Sequence, residues 1–220
     1  MVGPHDNPLL TDSPGAWDRL LEAVGPAALL AVIELRMSTA LKRQYPAEDV
    51  LQEALLHAWR DRAQHEWRGV RSFRNWLLTI IDHRIQDFAD RSMAQKRGGG
   101  TPAVECSALT GSGTRSALLP WDSTTPSRIA VYREQAAAMR GALERLPDDV
   151  RDVVRLRLLE QSPVEEIAQR LQLGASAVRH RFRRGAELYQ KYLMAELATR
   201  SQSISPEAAR VLLAESSPER

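Results

Sequence analysis

The chain has 220 residues, a formal net charge of +2 and a single cysteine, Cys106. One cysteine excludes an internal disulfide framework and a cysteine-based zinc cluster, and the small net charge confines any nucleic-acid affinity to local patches. No apolar run in the sequence is long enough to span a bilayer, and residues 1–8 lack the pattern of a secretion signal. We therefore expect a cytoplasmic protein without membrane insertion.

The predicted elements are all helices. Residues 1–14 are rich in proline and show no periodicity, which indicates a disordered lead. Apolar residues then recur at helical spacing over 15–24, 26–43 and 46–64. A glycine-proline pair separates the first two of these helices, and a tyrosine-proline pair separates the second from the third.

The third predicted helix, PAEDVLQEALLHAWRDRAQ, has an apolar face and a polar face. Asp49, Gln52 and Glu53 share the polar face. An ordinary solvated surface explains such a face, and acidic residues in a first turn also complement the helix dipole. The pattern by itself therefore leaves the function of these side chains open.

The fourth predicted helix covers 73–91, with Ser72 as its N-cap, and it lies in a stretch from 68 to 97 with a local charge of +4. Trp76 lies among these charges. Aromatic rings beside cations suit single-stranded nucleic acid, because bases stack on the rings while phosphates bind the charges. Trp76 fits the core beside Leu77 equally well. Three further side chains lie off the apolar stripe: Arg74, His83 and Arg84.

Residues 96–127 interrupt the helical pattern with the glycine, serine and threonine content of a flexible linker. Helical periodicity resumes at Arg128 and continues in a helix that begins at Asp148 and is expected to bury Leu158. Residues 198–220 form a tail in which one short helix is expected over 206–214.

The stretch 162–192 predicts a helix-turn-helix. Ser162 suits an N-cap, Gly174 allows a sharp turn, and a second helix begins near Ala175. A basic helix alone is typical of a solvated face, but a capped helix, a turn and a second basic amphipathic helix together favour DNA binding. The second helix has one apolar face: Val178, Phe182, Gly185, Tyr189 and Tyr192. Its arginines and a histidine lie elsewhere: Arg179, His180, Arg181, Arg183 and Arg184.

The sequence shows no arrangement that is typical of an enzyme. The histidines are scattered, with no pair at metal-binding helical spacing, and no serine or cysteine stands in a nucleophile turn. We therefore expect no catalytic residues, no metal site and no cofactor.

The first predicted domain carries the segments PAEDVLQEALLHAW and SFRNWLLTIIDHRI, and the second carries LERLPDDVRDVVRLRLLEQSPVEEIAQRLQLGASAVRHRFRRG. Two all-helical domains with these segments, joined by a flexible linker, resemble an extracytoplasmic-function sigma factor of bacterial RNA polymerase. The resemblance covers roughly residues 15–95 and 128–195. It implies a region 2-like domain over 15–95 and a region 4-like helix-turn-helix domain over 128–197. The implied partners are core RNA polymerase and promoter DNA, with an anti-sigma factor as a further candidate.

The resemblance also implies roles for individual residues. Core polymerase would bind the acidic and amide face of the third helix: Asp49, Gln52 and Glu53. The −10 element would be recognised and melted by the fourth helix: Arg74, Trp76, His83 and Arg84. The −35 element would be read by the last helix: Ser176, Arg179, His180, Arg181, Arg183 and Arg184. Within that set, we expect Arg179 and Arg183 to reach base edges, and Arg181 and Arg184 to meet phosphates.

Four positions depart from the family pattern and leave the promoter sequence open. Gln172 replaces the usual turn glycine, Gly174 the usual capping serine, Ala177 a threonine, and His83 an asparagine. Two other functions stay possible on the residues alone. One is a free-standing helix-turn-helix regulator with a sensing domain, and the other is an adaptor that uses both domains for protein docking. The basic last helix argues against the adaptor, and the arginine-tryptophan helix argues against the sensor.

Overall fold

The computed structural model describes residues 8–9, 14–96 and 126–201, and every regular element in these ranges is helical. The chain divides into two units, Met1–Pro126 and Ser127–Arg220. The all-α prediction with two helical domains is therefore confirmed. The predicted lead, linker and tail lie almost entirely outside the described residues, as do Cys106 and the short helix predicted over 206–214.

The first unit contains five helices within the described residues. They are α1 (Pro14–Val24), α2 (Pro26–Arg36), α3 (Thr39–Lys42), α4 (Ala47–Asp61) and α5 (Val70–Lys96). Helix α4 packs on α5 and α2, and α1 packs on α5. The core takes side chains from each: Trp17, Leu20, Leu30, Ile33, Leu41, Val50, Ala54, Leu55, Phe73, Leu77 and Ile81. These helices bring the polar faces of α4 and α5 next to one another.

Gly25 makes the sharp junction between α1 and α2. Its φ of 81° lies in the left-handed region, where a residue without a Cβ is favoured, and its N–H donates to Leu21 O and Glu22 O at 3.1 Å each. Pro26 then occupies the first position of α2, as expected from its fixed φ.

The single helix predicted over 26–43 is wrong in one respect, because the structure breaks it at Met37 and Ser38. Met37 has an extended backbone, and Ser38 Oγ accepts a hydrogen bond from Leu41 N at 3.2 Å. A serine that bonds a backbone N–H three residues ahead starts a new helix rather than continuing the old one.

The N-cap prediction for Ser72 is also wrong. Gly69, at a φ of 96°, turns the chain, and Phe73 N donates to Gly69 O at 3.1 Å. Helix α5 therefore begins at Val70, and Ser72 lies inside its first turn.

The second unit contains α6 (Pro126–Glu144), α7 (Asp148–Val154), a π-helical turn (Arg155–Leu159), α8 (Val164–Leu171) and α9 (Ala175–Ser201). The Arg151 side chain connects α7 to the end of α6. Its Nε donates to Leu143 O at 3.1 Å and its Nη2 to Leu146 O at 2.7 Å. These carbonyls lie in the last turn of α6 and in the turn that follows it, so Arg151 ties the end of α6 to α7.

The π-helical turn overturns the prediction that Leu158 is buried. Glu160 N donates to Arg155 O at 3.2 Å, so this turn is one residue wider than an α-helical turn. Leu156 and Leu159 are buried, whereas Leu158 is exposed. A strict helical period carried through from Asp148 therefore assigned the wrong side chain to the core.

The helix-turn-helix is confirmed, with its turn built differently from the prediction. The N-cap of α8 is Pro163 rather than Ser162. Gln172, not Gly174, takes the left-handed conformation, with a φ of 54°, and Leu173 N donates to Ala168 O at 2.9 Å. The core of the motif contains four buried residues that pack together: Val153, Leu156, Ile167 and Val178.

Gly185 allows α9 to approach α7 closely. A Cβ placed there would overlap the Val154 side chain and lie 3.1 Å from Val150 Cβ. Both valines are buried. The orientation of α9 in the second unit therefore depends on the absence of a Cβ at Gly185. The contact of α9 with Val150 and Val154 of α7 keeps the basic face of the helix on the outside.

Candidate functional site

The polar face of α4 keeps two of its three predicted residues exposed. Asp49 and Gln52 are exposed, one turn apart. Glu53 is held more tightly, because Arg91 of α5 approaches both of its carboxylate oxygens, at 3.3 and 3.5 Å. Arg91 also lies over the Phe88 ring, 4.9 Å from its centroid. Glu53 therefore links α4 to α5 as well as contributing charge to the face.

Arg74 is buried, contrary to the expectation that it lies off the apolar stripe of α5. Its side chain is 1 % exposed, and Nη1 donates to the carbonyl of Val24 at the end of α1. A cation at a helix C-terminus compensates the carbonyls that the helix leaves unbonded. Arg74 has no surface for a DNA contact in this conformation, so we leave it out of the interface proposed below.

Trp76 is half-buried and belongs to an aromatic cluster at the start of α5. Its ring stacks on His65 with a centroid distance of 4.4 Å and an interplanar angle of 15°. Phe73 lies 5.7 Å away, between Trp76 and Trp17. Burial lowers the pKa of His65, which favours the neutral ring in the stack. Trp76 is therefore part of the packing and still reaches the surface.

His83 is exposed on α5, whereas Arg84 is bonded on two sides. Arg84 Nη2 pairs with Asp87 Oδ2 at 2.9 Å, one turn along the same helix. Arg84 Nη1 lies 2.8 Å from His57 Nε2, across the contact between α4 and α5. Sequence reasoning missed His57. The spacing of α4 places it on the polar side, and no local pattern indicates that it faces an arginine 27 residues later.

The last helix presents its predicted residues on one open surface. Ser176, Arg179, His180, Arg183 and Arg184 are exposed and Arg181 is half-buried, while Val178 and Tyr189 are buried. Arg179 lies 3.8 Å from Glu165 and Arg184 lies 3.2 Å from Asp149. These are exposed ion pairs, which contribute about 0–1 kcal/mol each. Both arginines can therefore exchange these partners for DNA at little cost.

Among the described residues, no group of histidine, cysteine, aspartate and glutamate side chains has a geometry that could hold a metal ion. Within the same part of the chain, no helix combines the length and apolarity needed to cross a bilayer.

The two units match known protein families in chain order. Residues 30–94 match the model of sigma-70 region 2, and residues 136–187 match that of sigma-70 region 4, so that the two matches together span just over half of the chain. The region 2 match falls on α2–α5, and the region 4 match runs from α6 into α9.

Curated relatives match across both units. The RNA polymerase sigma-H factor of Pseudomonas aeruginosa is 29% identical over 147 residues, which is 67% of this chain and 72% of the relative. The ECF RNA polymerase sigma-E factors of Escherichia coli K12 and Salmonella typhimurium LT2 are each 26% identical over 155 residues, or 69% of this chain and 78% of theirs. With regions 2 and 4 in the places that its two helical units occupy, the chain belongs to the sigma-70 family, as an RNA polymerase sigma factor of extracytoplasmic-function type.

Proposed function

We propose that the first unit binds core RNA polymerase through the exposed face of α4 and engages the −10 element through α5, while α9 reads the −35 element in the major groove. The observation that carries this assignment is the contrast between the two sides of α9. One side is packed into the core through Val178, and the other presents four exposed basic side chains, Arg179, His180, Arg183 and Arg184. A helix of this kind fits the major groove and neutralises phosphates.

The docking face is centred on Asp49 and Gln52, since both are exposed on one side of α4. Glu53 contributes through its remaining exposed surface and keeps α5 in place through Arg91. The −10 contacts are assigned to Trp76, His83 and Arg84, which reach the surface of α5. Stacking and charge in this arrangement suit the single strand that promoter melting exposes.

In this function the protein acts as a specificity subunit without a catalytic centre of its own, in the cytoplasm, where polymerase and promoters meet. An anti-sigma factor is a further partner of such a protein. The free-standing regulator is not favoured, because the domain that it would use as a sensor matches sigma-70 region 2.

The test of the function is reconstitution with core polymerase. The full chain should co-elute with core enzyme and direct run-off transcription from a subset of a promoter library. A chain that binds DNA alone, represses or activates without joining the polymerase, and fails to co-elute would support the free-standing regulator instead.

The docking face has its own test in Gln52→Lys. Gln52 is exposed, so the substitution adds a cation to an acidic face without disturbing the core. We expect the affinity for core polymerase to fall by roughly tenfold, or about 1.4 kcal/mol, with the melting temperature unchanged. Gln86→Lys makes the same change at an exposed position of α5 and is the matched control. Equal affinities of the two variants for core enzyme would remove α4 from the interface.

A further inference from the structure

Arg84 lies at the contact between the two helices that carry the proposed polymerase and −10 interfaces. One nitrogen of its guanidinium is within 2.9 Å of Asp87 on α5, and another is within 2.8 Å of His57 on α4. The Arg84 side chain is 19% exposed. The guanidinium is thus held from two directions, while the side chain as a whole keeps part of its surface exposed.

The chemistry of the contact fixes the state of His57. A guanidinium has only N–H donors and stays charged, so the nitrogen that faces it must be an acceptor. His57 Nε2 is therefore deprotonated in this arrangement, and the ring proton lies on Nδ1. A protonated imidazole would place a second N–H donor and a second positive charge against Arg84.

The surroundings favour the deprotonated ring. Burial lowers the pKa of His57, and the positive charges of Arg84 on α5 and Arg60 on α4 lower it further. Asp61 and Glu53 of α4 act in the opposite direction and are outweighed. On α2, which also packs on α4, Arg36 is engaged with Asp82 of α5 at 2.6 Å.

We propose that His57 is a positioning residue: its deprotonated Nε2 accepts a hydrogen bond from Arg84 and fixes the guanidinium that meets the −10 element. This inference rests on the proposed function of Arg84. A fixed arginine loses less rotamer freedom on binding than a free one, so the bond raises affinity for the promoter strand without touching it. Protonation of His57 removes the acceptor and releases Arg84.

The direction of the pH effect follows from the lowered pKa. The ring stays neutral above its unfolded pKa of about 6.5, and the contact is complete there. As the pH falls below that value and through the folded pKa, His57 gains its proton and the hydrogen bond is lost. Promoter opening by the holoenzyme should therefore decline on the acidic side.

The experiment measures promoter opening by reconstituted holoenzyme in a pH series that runs downward from about pH 7.5 to well below the ordinary histidine pKa of about 6.5, because the pKa of His57 lies below that value. The variants are His57→Ala, His57→Gln, Arg84→Ala and the double variant His57→Ala with Arg84→Ala. Glutamine keeps an acceptor oxygen that does not titrate, so it is the conservative control. Core affinity and tryptophan-detected melting are measured for each variant in parallel.

We expect His57→Ala to reduce opening several-fold at the upper end of the pH series, and His57→Gln to restore most of it. Relative to His57→Gln, the wild type should lose opening as the pH falls through the folded pKa of His57. In the double variant, the His57 substitution should have no further effect, because Arg84 is already absent.

Two outcomes overturn the inference and leave the proposed function standing, and a third overturns the inference together with the −10 role of Arg84. If Arg84→Ala reduces opening and His57→Ala does not, Arg84 contacts the promoter without help from His57, and the proposed function stands. If His57→Ala reduces opening equally with and without Arg84, His57 acts by another route. If Arg84→Ala leaves opening unchanged while core binding persists, the −10 role of Arg84 and this inference fail together.

Discussion

The two units position their proposed DNA-contacting residues in different ways. In the first unit, the residues of α5 are tied into the fold: Trp76 stacks on His65, and Arg84 is bonded to His57 and Asp87. In the second unit, four basic residues of α9 are exposed, Arg179, His180, Arg183 and Arg184, and the close approach at Gly185 packs the helix against α7. The first surface is set by side-chain bonds and the second by backbone packing.

This difference suits the two tasks proposed for the units. The unpaired bases of a melted strand are flexible, and ordering them on the protein costs entropy. Protein groups that are already fixed add little to that cost, so they suit the binding of a single strand. Reading a duplex groove needs a rigid helix whose long side chains can adjust to base edges. The contrast predicts that the first unit is sensitive to loss of individual hydrogen bonds, and the second to small changes in helix packing.

The largest effect should come from Arg74→Ala in the first unit. The substitution removes a buried cation from the end of α1 and leaves the Val24 carbonyl without this donor. We expect the free energy of unfolding of the first unit to fall by roughly 3 kcal/mol, from the lost charged hydrogen bond and the lost packing of the side chain. Tryptophan fluorescence measures this, because Trp17, Trp59 and Trp76 all lie in that unit.

Arg71→Ala is the control for Arg74→Ala. Arg71 is exposed one turn earlier on α5, so its loss should change stability by less than about 0.5 kcal/mol. Equal melting temperatures for the two variants would mean that the buried bond of Arg74 does not stabilise the first unit.

Gly185→Ala tests the second unit. The added methyl group collides with Val154 and Val150, so α9 must shift or the core must open. We expect a loss of about 1–3 kcal/mol in the second unit and weaker binding to the −35 element. Gly174→Ala is the matched control, since a Cβ there meets nothing within 4 Å. Far-ultraviolet circular dichroism of the full chain follows both helical units, whereas tryptophan fluorescence follows the first, so a transition seen in circular dichroism but not in fluorescence belongs to the second unit. No greater loss for Gly185→Ala than for Gly174→Ala would show that the approach of α9 to α7 tolerates a side chain.

Arg179→Ala and Arg184→Ala sharpen the comparison within α9. Both residues are exposed, but Arg179 lies in the first turns of the helix, which reach base edges in the groove. Arg179→Ala should cost about 1–3 kcal/mol of discrimination at one or two base pairs. Arg184→Ala should weaken all sites alike and reduce the salt slope by about one. Binding of holoenzyme to a randomised −35 element at two salt concentrations distinguishes them, and identical preferences would refute base readout by Arg179.

The smallest expected effect is a gain of stability from Gln172→Gly. Gln172 holds a φ of 54° in the turn before α9, a conformation that strains any residue with a Cβ. Relief of that strain, offset by the greater freedom of glycine in the unfolded chain, should stabilise the second unit by up to about 1 kcal/mol. Gln169→Gly, three residues earlier within α8, should instead destabilise it, by about 0.5–1 kcal/mol. Thermal unfolding by circular dichroism decides the sign.

Much of the fold could be predicted from the sequence, because most helices follow from the helical spacing of apolar residues and from the glycine and proline residues that end them. The spacing of apolar residues located α1, α4, α6 and α9, and the glycine-proline pair at Gly25 marked the break between the first two helices, which the structure confirms. The errors arose where a local preference competes with the period. Ser38 began a new helix, and the π-helical turn moved Leu158 from the core to the surface.

The candidate site divides in the same way. The exposed face of α9 could be predicted, since exposure on a single amphipathic helix depends on spacing alone. The burial of Arg74, the pairing of Glu53 with Arg91 and the bond from Arg84 to His57 could not. Each joins residues far apart in the chain, and their meeting depends on how α1 and α4 pack on α5.

The length of α9 has a mechanical consequence. The helix runs for 27 residues without interruption, and Gly185 lies ten residues from its start and sixteen from its end. At 1.5 Å per residue, the two arms are about 15 Å and about 24 Å long. The longer arm contacts the residue that follows α6, because Glu196 and Arg145 are 3.6 Å apart. If α9 tilts as a rigid rod about Gly185, each degree moves its distal end by about 0.4 Å and the end that begins at Ala175 by about 0.3 Å. A molecule that pushes on the distal end of α9 would therefore also displace Arg179, which lies on the shorter arm.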